Sequence, residues 1–134
     1  VPFGKARTVR EGTDVTIVAF AQMVHKALVA AAQLEAQGVS VEIIDPRSFS
    51  PLDIGTILKS LEKTGRLVVV DESWESRSTA SEIAAQVVDL GFDLLDAPIR
   101  RVTIPNIPLP GGHMEPYVAP NPAAIEAAVR DVCR

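Results

Sequence analysis

Short runs of β-branched residues alternate along the chain with longer stretches whose apolar positions recur every three or four residues. Val15-Thr16-Ile17-Val18-Ala19-Phe20 is almost wholly apolar, the pattern of a central strand covered on both faces. Val39 to Asp45 and Arg66-Leu67-Val68-Val69-Val70-Asp71 repeat it, and Ile99 to Ile104 reads as a last strand. Between the strands lie helical patterns. Leu28, Ala31, Ala32 and Glu35 share one face of Val24 to Gln37, and Gly38 stands where a helix end takes a left-handed residue. Ile54, Ile57, Leu58 and Leu61 form a stripe along Asp53 to Lys63, with Gly65 after it. Ile83, Ala84, Val87 and Val88 do the same along Thr79 to Leu90, before Gly91. Asn121-Pro122 carries N-cap and first-turn chemistry for a terminal helix with Ala124, Ile125, Ala128 and Val129 on its apolar face.

Lys5 to Arg10 is short and mixed and ends in the turn Glu11-Gly12-Thr13-Asp14, which predicts an edge strand. Glu72 to Ser78 reads as a polar loop. Pro105 to Pro120 is too rich in Pro and Gly for regular structure. The predicted order is β-β-α-β-α-β-α-β-loop-α. Strands that alternate with helices imply parallel pairing through right-handed crossovers. The first strand has no helix after it and is expected as an antiparallel edge. The expected fold is a three-layer α/β/α domain over residues 1–134, with a mostly parallel five-stranded sheet.

Composition narrows the function. The core must be aliphatic, because hydrophobic residues are 47% of 134 and aromatics only 4%. A net charge of −4 argues against a nucleic-acid partner. No apolar run approaches the roughly 20 residues that span a bilayer, so no membrane partner is expected. The single Cys133 excludes an internal disulfide or a cysteine metal cluster and fits a reducing compartment. The opening Val1-Pro2-Phe3-Gly4 has no Met and no basic-then-apolar leader. It reads as a piece of something longer, from which a targeting segment could have been removed.

Catalytic motifs are missing. After Phe20 the chain runs Ala21-Gln22-Met23-Val24, with none of the glycines that bring backbone N–H groups to a pyrophosphate. His25 opens a helix after a strand C-terminus, the edge where ligands bind α/β sheets, but it has no Cys, Ser or carboxylate partner in local spacing. A local packing or capping role is the favoured reading. Arg47 could clamp an anion at the same edge, and pairing with Asp45 or Asp53 is the simpler alternative. His113 lies in the Gly/Pro-rich excursion and reads as a loop or interface residue. Ser73 and Ser76 are not in G-x-S-x-G. Trp74, the single tryptophan, suits an interface anchor or a cover over its own core. Asp96, in Leu94-Leu95-Asp96-Ala97-Pro98, is a carboxylate in an apolar rim. That setting suits a receptor for an Arg or Lys on a partner.

One family unites these segments. Gly4-Lys5-Ala6, Arg10-Glu11-Gly12-Thr13-Asp14-Val15, Met23-Val24-His25-Lys26-Ala27-Leu28 and Ile44-Asp45-Pro46-Arg47-Ser48-Phe49-Ser50-Pro51-Leu52-Asp53 occur in order. Lys63-Thr64-Gly65-Arg66-Leu67, Ser81-Glu82-Ile83-Ala84-Ala85 and Phe92-Asp93-Leu94-Leu95-Asp96-Ala97-Pro98-Ile99 follow. The series resembles the C-terminal domain of the beta subunit of thiamine-diphosphate-dependent 2-oxo acid dehydrogenases, the pyruvate, branched-chain and acetoin enzymes. The wider group is the transketolase C-terminal domain.

The resemblance implies a subunit of an α2β2 enzyme, paired with an alpha subunit and a second beta subunit. That enzyme decarboxylates a 2-oxo acid with thiamine diphosphate and Mg, then passes the acyl group to lipoyl groups. The cofactor belongs to an N-terminal pyrimidine-binding domain outside residues 1–134, so this domain is expected to bind none and to be inactive alone. Its implied roles are assembly and docking of the peripheral subunit-binding domain of a dihydrolipoyl acyltransferase. The family's docking acid falls at Asp96, and a chain-terminal carboxylate, here Arg134 if that end is natural, also takes part. The implied setting is the cytoplasm of a bacterium, or the mitochondrial matrix in a eukaryote.

The chain departs from the family in two places. Ser76-Arg77-Ser78-Thr79 replaces a glycine pair, and Leu109-Pro110-Gly111-Gly112-His113 inserts a tip where Pro-Tyr/Phe is usual. A transketolase or 1-deoxyxylulose-5-phosphate synthase domain, and a free-standing anion-binding module, stay open as alternatives.

Overall fold

The computed structural model describes residues 4–48, 52–74, 79–104 and 120–133. The strands are β1 (Arg7–Arg10), β2 (Val15–Ala19), β3 (Val41–Asp45), β4 (Leu67–Trp74) and β5 (Arg100–Ile104). The helices are α1 (Met23–Glu35), α2 (Ile54–Thr64), α3 (Thr79–Gly91) and α4 (Pro122–Val132), and a 3-10 turn spans Phe92–Leu94. The sheet order is β1-β3-β2-β4-β5. β1 pairs antiparallel with β3, while β3, β2, β4 and β5 run parallel. The predicted layered architecture with one antiparallel edge is therefore present.

Alternation along the strands divides the core. Ile17 joins Ala27, Ala30 and Leu34 of α1 and Ile125 and Val129 of α4 on one face. Val18, its neighbour in β2, joins Ile57 and Leu61 of α2 and Ile83 and Val87 of α3 on the other. Each of the fully buried Ile, Leu and Val side chains among these contributes roughly 1.5–3 kcal/mol.

Helix ends follow the sequence chemistry where it is present. The Asp53 carboxylate caps α2 by accepting the Thr56 N–H at 3.2 Å. Gly65 ends that helix at φ 71°, its N–H donating to the Leu61 carbonyl at 2.8 Å. Asn121 caps α4 by accepting the Ala124 N–H at 2.8 Å, with Pro122 in the first turn.

Element limits differ from expectation in places. β4 runs on to Trp74, through Asp71, Glu72 and Ser73, where polar composition reads as loop. Backbone pairing with β5 carries it that far, across a register shift between Val70 and Trp74. α1 ends at Glu35, short of Gln37, and α3 takes in Gly91. Most of the predicted Pro/Gly-rich excursion lies outside the described residues. Among the described residues no helix is long and apolar enough to cross a membrane.

Candidate functional site

The parallel strands begin at one edge of the sheet, and that edge is tied together by polar groups. The Asp14 carboxylate, before β2, accepts the Ser40 N–H at 2.7 Å, before β3. Thr16 is buried in β2, its hydroxyl 2.6 Å from Ser60 Oγ and 2.7 Å from Thr64 Oγ1, both on α2. Ser60 donates to Glu42 Oε2 at 2.6 Å, and Glu42 Oε1 accepts Lys63 Nζ and the Gly12 N–H. Glu42 is only 4% exposed. Burial alone would raise its pKa, but the bonds from Lys63, Ser60 and Gly12 and the Lys63 charge outweigh it and hold the carboxyl below the usual glutamate value. Arg66 extends the bracing: its Nε donates to the Val132 carbonyl at the end of α4, at 3.1 Å, and its Nη1 to the Asp14 carbonyl at 3.3 Å.

Asp96 sits at this same edge. Leu95 packs with the α2/α3 cluster and Ala97 with the α1/α4 cluster, so the segment passes from one face of the sheet to the other. Between them Asp96 is left exposed. Its N–H donates to the Gly65 carbonyl at 2.7 Å, which fixes the backbone against the start of β4. Its carboxylate lies over the glycine. A Cβ on Gly65 would come within 2.2 Å of Asp96 Oδ2. An open, largely apolar groove of about 1040 Å³ adjoins the segment, lined by Val88, Phe92, Leu95, Ala97, Pro98 and Ile99 with Ser81, Asp89 and Arg101 as its polar members. Phe92 is 66% exposed there, far more than a large apolar side chain keeps in a core.

The opposite edge carries the other candidates and does not unite them. His25 lies exposed in the first turn of α1, and Arg47 is exposed after β3. The expected pairing of the Arg47 guanidinium with Asp45 or Asp53 does not occur. The Arg47 backbone N–H takes Asp45 Oδ1 at 2.9 Å instead. The Asp53 carboxylate is engaged by the Ala6 N–H at 2.9 Å and the Thr56 hydroxyl at 2.6 Å. Burial opposes ionisation of Asp53, yet those bonds and nearby Lys5 keep its pKa below the ordinary aspartate value. Two non-glycine residues here have positive φ, Ala21 at 52° and Arg47 at 63°. Arg47 is the middle of a three-residue turn closed by Ser48 N–H to the Pro46 carbonyl at 2.6 Å.

Trp74 ends β4 with its backbone opposite Ile104. Its side chain, His113 and Arg134 lie outside the described residues. Sequence reasoning missed the Thr16–Glu42–Ser60–Lys63 network. Its signals were a lone Glu inside Val41-Glu42-Ile43-Ile44 and hydroxyls four apart on α2 at Ser60 and Thr64. The Gly65–Asp96 contact joins distant segments and had no local signal.

The profile of the transketolase C-terminal domain matches residues 4–125. The chain belongs to this family. It is 54% identical over 110 residues to the acetoin:2,6-dichlorophenolindophenol oxidoreductase subunit beta of Bacillus subtilis, covering 82% of this chain and 32% of that protein. It is 45% identical over 134 residues to the pyruvate dehydrogenase E1 component subunit beta of Rhizobium meliloti, covering 99% of this chain and 29% of that protein. Among solved structures, a split-gene transketolase described as an inactive beta4 tetramer superposes with a TM-score of 0.87 at 27% identity, over 99% of this chain and 42% of that one. The chain thus spans about a third of the length of the first two relatives.

Proposed function

We propose that this chain is the assembly and docking domain of the beta subunit of a 2-oxo acid dehydrogenase. Its partners are an alpha subunit, a second beta subunit and the peripheral subunit-binding domain of a dihydrolipoyl acyltransferase. The decarboxylation of a 2-oxo acid, which uses thiamine diphosphate and Mg, belongs to the remainder of the full subunit. Identity of 45–54% to acetoin and pyruvate dehydrogenase beta subunits, against 27% to the split transketolase, favours the dehydrogenase over a transketolase or synthase.

The observation that carries the docking role is Asp96: an exposed carboxylate, backbone-locked to Gly65, between Leu95 and Ala97, which line a largely apolar groove. A partner with a basic side chain beside apolar ones is the complement of such a surface. The carboxylate would accept a charge-assisted hydrogen bond from that cation while Phe92 and its neighbours lose contact with water. Asp96→Asn in the assembled enzyme should weaken binding of the acyltransferase domain by about 1–3 kcal/mol in a calorimetric titration. Unchanged affinity would refute docking at this residue.

A further inference from the structure

Among the described residues two glycines follow helices at positive φ, and they differ in what they face. Gly38, after α1, has φ 86° and open space where a side chain would stand. Gly65, after α2, has φ 71° and faces Asp96. A Cβ there would lie 2.2 Å from Oδ2 and 2.9 Å from Cγ. Both positions need a left-handed backbone, for which glycine is suited. Only at Gly65 is the missing side chain also space that another residue occupies.

We infer that Gly65 is a positioning residue for docking: it holds Asp96 in its binding posture, by its carbonyl through the Asp96 N–H and by its bare Cα beneath the carboxylate. This rests on the docking reading of Asp96. The two contacts act on different parts of the aspartate. The 2.7 Å bond to the Gly65 carbonyl sets where the Asp96 backbone crosses the sheet edge. Leu95 and Ala97, packed on opposite faces, keep that crossing from sliding. The absence of a Cβ then leaves the carboxylate the rotamer that lies back over the helix end. A methyl group at position 65 would push on the far end of a short exposed side chain, so the least costly response is rotation of Asp96 rather than movement of α2 or β4. The fold survives while the charge changes place. A charge-assisted bond depends on the direction of its acceptor, so a displaced carboxylate is a poorer receptor even though its charge is intact.

The test uses the full beta subunit assembled with its alpha subunit, titrated with a purified peripheral subunit-binding domain of a dihydrolipoyl acyltransferase at two salt concentrations. The variants are Asp96→Asn, Gly65→Ala, Gly65→Asn, Gly38→Ala and the double variant Gly65→Ala with Asp96→Asn. Asparagine tolerates positive φ and therefore isolates the Cβ effect from the backbone effect. Asp96→Asn should weaken binding at least about fivefold, as loss of a charge-assisted bond implies. Both Gly65 variants should weaken it at least about threefold and flatten its salt dependence, while Gly38→Ala leaves affinity unchanged. In the Asp96→Asn background, Gly65→Ala should add nothing, because the group it displaces no longer matters. If Asp96→Asn weakens docking and the Gly65 variants bind normally, the positioning role is wrong and the docking role stands. If the Gly65 effect persists undiminished without the Asp96 charge, or if neither Gly65 variant assembles, the glycine serves the fold instead. If Asp96→Asn binds normally, the docking reading itself fails.

Discussion

The two edges of the sheet are built in opposite ways. Where the parallel strands begin, buried hydroxyls, Glu42, Lys63 and Arg66 tie β2, β3, β4, α2 and α4 to one another. Where they end, Ala21 and Arg47 hold positive φ without being glycine, and His25 and Arg47 stand exposed with no bond between them among the described residues. In an open α/β sheet, ligands are expected at the second edge. Here the first edge is the one organised to hold a group still, and the group it holds is Asp96. A rigid mount suits a protein partner, whose recognition depends on pre-placed charges and not on closure around a small molecule.

Substitutions at the two edges should therefore change stability in opposite directions. Glu42→Ala strips Ser60, Lys63 and the buried Gly12 N–H of their shared acceptor and should cost about 2–3 kcal/mol, read as a lower midpoint in chemical denaturation of the full subunit. A loss near zero would mean that the network only decorates the edge. Arg66→Met removes the donors to Val132 and Asp14 and should cost about 1–2 kcal/mol, with faster amide exchange at the end of α4. At the other edge Arg47→Gly relieves a left-handed residue and should stabilise by about 0.5–1 kcal/mol. His25→Ala should fall within about 0.5 kcal/mol of no change. A large loss at His25 would give that edge a role it lacks here.

Acid sharpens the contrast at one group. Glu42 has its pKa lowered in the folded state, so the unfolded chain binds more protons in the window below the ordinary glutamate value of 4.5. Its stabilisation is complete above that value and is lost as pH falls through the folded pKa. Glu42→Gln should flatten the fall of stability with pH in that window and leave the slope at neutral pH unaltered. Equal slopes for the two proteins would assign acid sensitivity to other carboxylates, with Asp53, also lowered, the next to test.

How far the sequence could be read depended on the range of the interaction. Strands and helices follow from periodicity, because apolar spacing in Val15–Ala19 and Ile54–Thr64 states which faces are covered, and the antiparallel edge follows from the lack of a helix after the first strand. Asp53, Gly65 and Asn121 announce helix ends because capping is local. The reach of β4 to Trp74 was not legible, since pairing with β5 overrides the loop character of Asp71-Glu72-Ser73. Asp96 was legible as a carboxylate among apolar residues. What mounts it was not, because Gly65 comes from another segment and meets it only after the sheet has formed.

The most direct measurement is the affinity of the assembled enzyme for the acyltransferase binding domain, with Asp96 intact and as Asn. Docking through this edge predicts a loss of about 1–3 kcal/mol with stability unchanged. Equal affinities would contradict it, whatever the surrounding geometry.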